Sequence, residues 1–121
     1  MILLDSNILI YSCQVEFSYL KSLVLKQENC ASQISKLEVL GFPRLQSFER
    51  EYFENVFKIL TLLPINEKVI NQAIKLRQQY NIRSNDSIIA STAFLYNLPI
   101  YTRNVDDFKN IIGLNVINPI L

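Results

Sequence analysis

Eleven Asp and Glu side chains and no histidine define the chemical options of this 121-residue chain. Without histidine, Ser/His/Asp and Cys/His nucleophile arrangements, histidine-rich zinc sites and paired-histidine acid–base chemistry are all excluded. Hydrolytic chemistry then falls to carboxylates. Asp5, Glu38, Asp86, Asp106 and Asp107, together with the amide of Asn104, are the residues that a fold could gather. Carboxylates within a few ångströms of each other repel, and each raises the other's pKa unless a cation neutralises them. Oxygen-only donors select a hard cation, Mg2+ or Mn2+, held by one or two carboxylates plus waters and leaving positions open for a phosphate. Such an ion activates water and neutralises charge on a phosphoryl oxygen, so metal-assisted phosphodiester hydrolysis is the chemistry that fits.

Gathering these acids requires strands that alternate with helices. Ile2-Leu3-Leu4 is an unbroken apolar run, as in a strand buried on both faces, and it stops at the capping and turn residues Asp5-Ser6-Asn7. Helical spacing runs from Phe17 to Lys26, a second strand from Cys30 to Ile34, and Ser35-x-x-Glu38 opens a helix with capping-box spacing. After the break at Gly41-Phe42-Pro43, a helix from Gln46 to Leu60 places Phe48, Tyr52, Phe53, Val56, Phe57 and Leu60 on one face. Leu62 to Ile65 reads as a third strand, Asn66 to Tyr80 and Asn85 to Tyr96 as helices, Pro99 to Thr102 as a fourth strand, Asn104 to Asn110 as a turn of helix, and Asn115 to Ile117 as a fifth strand. The alternation predicts an α/β fold with a parallel sheet covered on both faces.

In such a sheet ligands sit beyond the carboxyl ends of the strands. Asp5 follows strand one, Glu38 comes shortly after strand two, and Asn104, Asp106 and Asp107 follow strand four. Asp86 opens the helix that returns to strand four, so it points to the same edge. Each acid also has an ordinary use: Asp5 and Asp86 as helix-start residues, Glu38 as the partner of Ser35, and Asp106 and Asp107 as first-turn acids.

Composition narrows the rest. Lys and Arg total 12 against 11 acids, a formal charge of +1, so any charge that matters is local. Two glycines rule out a phosphate-cradling glycine-rich loop. Cys13 and Cys30 form no C-x-x-C pair and read as buried small apolar residues in a reducing compartment. No linker or repeat interrupts residues 1–121, so one domain is expected. The apolar start runs into Asp5 without a basic segment or cleavage site, which predicts neither a signal peptide nor a membrane span, and hence a cytoplasmic protein.

Four ordered segments resemble the PIN-domain ribonucleases, and within them the VapC-type toxins of bacterial type II toxin–antitoxin systems. They are Met1-Ile2-Leu3-Leu4-Asp5-Ser6-Asn7-Ile8-Leu9-Ile10, Ser35-Lys36-Leu37-Glu38-Val39-Leu40-Gly41-Phe42, Asn85-Asp86-Ser87-Ile88-Ile89-Ala90-Ser91-Thr92-Ala93 and Leu98-Pro99-Ile100-Tyr101-Thr102-Arg103-Asn104-Val105-Asp106-Asp107-Phe108. The resemblance implies a three-layer α/β/α sandwich with a five-stranded, mainly parallel sheet. It also implies a Mg2+- or Mn2+-dependent endoribonuclease, an RNA substrate, a cognate antitoxin and a homodimer. Asp5, Glu38 and Asp86 match the family's three core acids and are the expected metal and catalytic residues, with Glu38 orienting or deprotonating the attacking water. Ser6 or Asn7 matches the polar residue beside the first acid. Asn104 stands where many relatives carry Asp, so the fourth role falls to Asn104, Asp106 or Asp107. Arg103 and Lys36 are candidate phosphate contacts, with Arg44 and Arg83 adding to a positive rim, and Tyr11 and Phe42 offer rings for base stacking or for the core. The apolar stretch from Phe42 to Leu63 is expected to supply a dimer surface and a groove for an antitoxin helix. Two other readings are a silent PIN-like binding protein, argued from Asn104, and a receiver-type phosphorylation module, which would need an acidic pair after strand one.

Overall fold

The computed structural model describes residues 1–121. Five short strands, β1 (Leu3–Leu4), β2 (Cys30–Ser32), β3 (Thr61–Leu63), β4 (Ile100–Tyr101) and β5 (Val116–Ile117), form one sheet in the order β3-β2-β1-β4-β5. Every pairing is parallel, with Leu3 opposite both Cys30 and Ile100. The helices are α1 (Ser6–Ser12), α2 (Lys21–Val24), α3 (Gln33–Leu40), α4 (Ser47–Ile59), α5 (Glu67–Gln79) and α6 (Ser84–Tyr96), with 3-10 turns at Val15–Leu20 and Val105–Asp107.

Side-chain alternation along the strands divides the core into two layers. Leu3, Cys30, Leu63 and Ile100 face α5 and α6, where Leu76, Ile82, Ile89, Ala93 and Phe108 close the layer. Leu4 and Ala31 face the other way, toward Ile8, Leu9, Leu20, Val24, Val39, Phe53, Val56 and Phe57. Leu3 and Leu4 are both fully buried, which is why the first strand reads as an unbroken apolar run. The sandwich expected from the sequence is therefore present, and its sheet is wholly parallel.

Three local details depart from the expected pattern in ways that bear on packing. Strand β2 ends at Ser32, whose Oγ accepts the Ile34 N–H at 3.2 Å and starts α3 at Gln33. The capping-box reading of Ser35 and Glu38 is thereby displaced, since an earlier hydroxyl already caps the helix, and both side chains are free to turn toward other elements. The stretch from Phe17 to Lys26 is two pieces, a 3-10 turn kinked at Phe17 and then α2. The kink sets the Phe17 ring edge-on against Tyr11, with centroids 4.9 Å apart. Phe48, expected on the buried face of α4, is 62% exposed, because the helix meets the core only from its second turn, at Phe53.

From β1 the chain builds β2 and β3 on one side, then returns to place β4 and β5 on the other. The return is made by α6, which ends at Asn97 in the left-handed conformation (φ 55°), a backbone state that Asn tolerates well. Beyond β4, the segment carrying Asp106 and Asp107 is pinned by Phe108, whose side chain is completely buried against the α5–α6 layer. Phe108→Ala is expected to cost about 3–5 kcal/mol of stability, read from urea denaturation; a loss below about 1 kcal/mol would show that this segment is not anchored there.

Candidate active site

The neighbouring strands β1 and β4 lead to opposite sides of the sheet, and the crevice beyond their carboxyl ends is the place where open parallel sheets bind ligands. Asp5 and Thr102 are the first residues past these two strands, and the Asp5 N–H donates to Tyr101 O at 3.0 Å. The Asp5 carboxylate, 6% exposed, is held by neutral donors. Oδ1 accepts the Ser6 N–H at 2.8 Å, and Oδ2 accepts the Thr102 hydroxyl at 2.8 Å and the Asn7 amide at 3.3 Å. Asn7 also donates to Thr102 Oγ1 and accepts the Arg103 N–H at 3.1 Å, so one amide ties the start of α1 to the end of β4. Thr102 Oγ1 further accepts the Asn104 N–H at 3.0 Å.

Glu38 reaches the same edge from α3. Ser6 Oγ lies 2.8 Å from Glu38 Oε1 and 2.9 Å from Ser35 Oγ. A carboxylate only accepts, so Ser6 donates to Glu38 and takes its own hydrogen bond from the fully buried Ser35. The second oxygen, Oε2, accepts the Asn85 amide of α6 at 2.8 Å. Asp86 follows in the first turn of α6, half-buried.

Electrostatics link these acids. Burial, reinforced by Glu38 and Asp107, raises the Asp5 carboxyl above its ordinary value despite the donors from Thr102 and Ser6. Asp86 is pushed up to about 6, first by burial and then by Asp5, Asp107 and Glu38, with Arg83 the one opposing charge. Asp107 is therefore within electrostatic reach of both carboxyls, although it is exposed. Asp106, also exposed, pairs its carboxylate with Lys109 at 3.0 Å on the surface, and the exposed Asn104 side chain makes no hydrogen bond. Arg103 packs its guanidinium over the Tyr11 ring, 4.9 Å from the centroid, and donates to the Tyr11 hydroxyl. The side chains of Lys36 and Arg44 are exposed and make no hydrogen bond or ion pair, and Phe42 is 57% exposed.

No three Asp, Glu or Cys side chains stand close enough to enclose a metal ion by themselves. The donor set is nevertheless all oxygen, and two of its carboxylates carry raised pKa values with little positive charge nearby. Those residues fit a hydrated Mg2+ or Mn2+ that keeps most of its waters and takes one or two carboxylates directly, rather than a closed protein cage. Two cavities flank the cluster. One, of about 500 Å3, runs between Arg77, Tyr80, Asn81, Ile82, Arg83, Asp86, Asp106, Asp107, Asn110 and Ile111. The other, of about 450 Å3, is bordered by Arg83, Arg103, Asn104, Val105, Asp106, Asp107 and Asn118.

The family model described as "PIN domain" matches residues 2–114. The chain belongs to the PIN-domain family. It is similar to "Ribonuclease VapC" of Rickettsia bellii (strain RML369-C), 37% identical over 73 residues, or 54% of this chain and 53% of that one. It is also similar to "Ribonuclease VapC1" of Rickettsia felis (strain ATCC VR-1525 / URRWXCal2), 34% identical over the same shares. The chain thus spans about half the length of the curated relatives it matches. Among solved structures, it superposes on a chain of a toxin–antitoxin complex from Klebsiella pneumoniae with a TM-score of 0.80 and 29% identity, covering 99% and 98% of the two chains. For VapBC2 of Rickettsia felis bound to a promoter DNA fragment the TM-score is 0.79 at 23% identity, with 98% of each chain covered, a likeness of fold. The family resemblance read from the four motifs is borne out.

Three residues of this PIN-domain site lack a distinct signal in the sequence. Thr102 and Asn85 sit inside the motifs without chemistry of their own, and Ser35 reads as a cap. Their shared signal is a polar side chain where a strand or helix turns toward the switch point. The raised Asp86 pKa has a consequence for stability. The unfolded carboxyl ionises near its ordinary 3.8 while the folded one holds its proton to about 6, so this group costs stability as pH rises through that interval. The two-unit difference corresponds to about 3 kcal/mol before screening, and roughly 1–2 kcal/mol at a half-buried position. In metal-free buffer, Asp86→Asn should be more stable than wild type by that amount at neutral pH, and urea midpoints should converge near pH 4. A gap independent of pH would contradict this assignment.

Proposed function

We propose that this chain is a Mg2+- or Mn2+-dependent endoribonuclease and the toxin component of a VapBC-type system, neutralised by a cognate antitoxin. The observation that carries this reading is the convergence of Asp5, Glu38, Asp86 and Asp107 on the β1–β4 switch point, with Arg83 the one cation that acts on Asp86. Family membership and the similarity to proteins named ribonuclease VapC support it. So does the likeness to a chain from a toxin–antitoxin complex.

On this reading Asp5 and Asp86 hold the ion, directly or through its waters. When bound, the ion supplies positive charge for a phosphoryl oxygen and acidifies water. Glu38 orients the attacking water and takes its proton. Each of its oxygens carries one hydrogen bond, from Ser6 or from Asn85, which fixes the carboxylate and leaves a lone pair on each oxygen for that water. Asp107 takes the fourth acidic place, since Asp106 is committed to Lys109 and Asn104 is neutral. Ser6, Asn7 and Thr102 set the angle of Asp5 and Glu38. Arg103, stacked on Tyr11, meets the RNA backbone at the border of the second cavity. A receiver-type module has no support, because β3 ends at Leu63-Pro64 with no Asp to accept phosphate.

Cleavage of single-stranded and structured RNA tests the reading. Glu38→Gln should lower turnover by about 10²–10⁴, Asp5→Asn by at least as much, and chelator should abolish cleavage in the wild type. Cleavage indifferent to chelator and to Asp5→Asn would overturn the metal mechanism. Added Mn2+ should raise the melting temperature of the wild type and leave that of Asp5→Asn unchanged.

The exposed side chains of Leu37, Phe42 and Phe48 around the start of α4 supply an apolar surface for a homodimer and for the antitoxin. Sedimentation equilibrium at tens of micromolar is expected to return a dimer, and Phe48→Glu to shift it toward monomer. A monomeric wild type would count against the dimer.

A further inference from the structure

The 500 Å3 cavity holds more than the acids at its edge. It lies between the end of α5, the start of α6 and the 3-10 turn after β4, and Arg77 and Arg83 line it together with Asp86 and Asp107. Neither guanidinium is consumed by the protein, since Lys109–Asp106 is the one ion pair in the chain. Arg77 spends only its Nε–H, on Ile82 O at 3.2 Å, which fixes the guanidinium and leaves its terminal N–H groups without a protein acceptor. The Arg83 side chain makes no hydrogen bond, and it lowers the Asp86 pKa from beyond ion-pair distance. Arginines placed only to neutralise the acids would sit in contact with them. Two unspent forks beside a carboxylate cluster instead match a second anion, and the guanidinium fork suits phosphate. The amides of Asn81 and Asn110 also line the cavity, are exposed, and have no hydrogen-bond partner within the protein. They are available to the polar edge of a base.

We propose that this cavity is a subsite for one nucleotide of single-stranded RNA adjacent to the scissile bond, with Arg77 and Arg83 gripping its phosphate. The inference rests on the ribonuclease reading above. Its volume lies in the range of pockets that enclose one small ligand, and a splayed single strand is the form of RNA that can lodge one nucleotide in a concavity. The subsite divides labour with the cluster next to it. The carboxylates attract the cation, and the arginines attract the neighbouring phosphate that the carboxylates alone would repel.

Fluorescence anisotropy of end-labelled single-stranded RNA, in EDTA and across a salt series, tests the subsite on Arg77→Gln, Arg83→Gln and the control Lys26→Gln in the loop leading to β2. Each arginine variant should weaken binding roughly three- to tenfold and flatten the slope of log K against log salt by about 0.7, and the control should do neither. A neutral methylphosphonate at the linkage beside the cleaved bond should weaken wild-type binding by a similar factor, and Arg83→Gln should show no further loss with that probe. Arginine variants that match the control would overturn the subsite. So would variants that keep RNA affinity and lose affinity for an acidic peptide, which would assign the cavity to a protein partner. If Arg77→Gln melts early through loss of the Ile82 hydrogen bond, Arg83→Gln decides alone, because the exposed Arg83 side chain makes no hydrogen bond or ion pair within the protein. Failure of the wild type to cleave RNA with Mg2+ would instead overturn the ribonuclease reading, an outcome distinct from loss of RNA binding in the arginine variants.

Discussion

A buried carboxylate without a counter-charge is the constraint around which this molecule is organised. Asp5 sits almost out of solvent at the end of β1, and every group that touches its oxygens is neutral: a backbone N–H, a hydroxyl and an amide. Neutral donors orient a carboxylate and recover part of its hydration, but they do not cancel charge, and burial still raises its pKa. Glu38, Asp86 and Asp107 approach the same point and add repulsion. A chain selected for stability alone would place a lysine there or withdraw an acid. An arrangement that stores unfavourable electrostatics and aligns it with donors is suited to a ligand that brings the missing charge.

The sheet makes this arrangement possible with few residues. Because strand order reverses between β1 and β4, the segments beyond those two strands diverge and leave a crevice into which α3 and α6 direct side chains. Strands of two or three residues are enough, because the two apolar layers bury both faces and hold the strand ends in register. The polar network then joins four elements: Asn7 ties α1 to β4, Ser6 and Ser35 tie α1 to α3, and Asn85 ties α6 to α3. A shift of any one element would misplace a carboxylate and an orienting donor together.

The near-zero formal charge of the chain conceals a sharp separation of charge. Asp5, Glu38, Asp86 and Asp107 act on one another electrostatically at one edge of the sheet, and Arg77, Arg83 and Arg103 line the two neighbouring cavities without forming an ion pair. Spending those arginines on ion pairs would stabilise the metal-free chain, yet it would remove both the electrostatic demand for a cation and the free guanidiniums around it. The lone ion pair, Lys109 with Asp106, is exposed to solvent and is worth little. It serves mainly to distinguish Asp106 from its neighbour.

Much of this was legible in the residues. The unbroken Ile2-Leu3-Leu4 run, the alternation of strand and helix, and the absence of histidine are enough to specify a parallel α/β sheet with acids at one edge, because burial on both faces and the direction of crossover helices follow from local pattern. Helix starts were harder to place: Ser35 and Glu38 have the spacing of a cap, and only the earlier hydroxyl of Ser32 redirects them to Ser6. Nor could spacing rank Asn104, Asp106 and Asp107, which are consecutive or nearly so. Their separation depends on the backbone path after β4, set by the burial of Phe108, and on Lys109 reaching back to Asp106. The sequence by itself determined which chemical groups the chain owns and which edge of the sheet they reach, since those follow from residue type and element order. Only the tertiary structure decided which groups face each other and which charges remain unpaired, because those depend on distances between segments as far apart as Asp5 and Thr102.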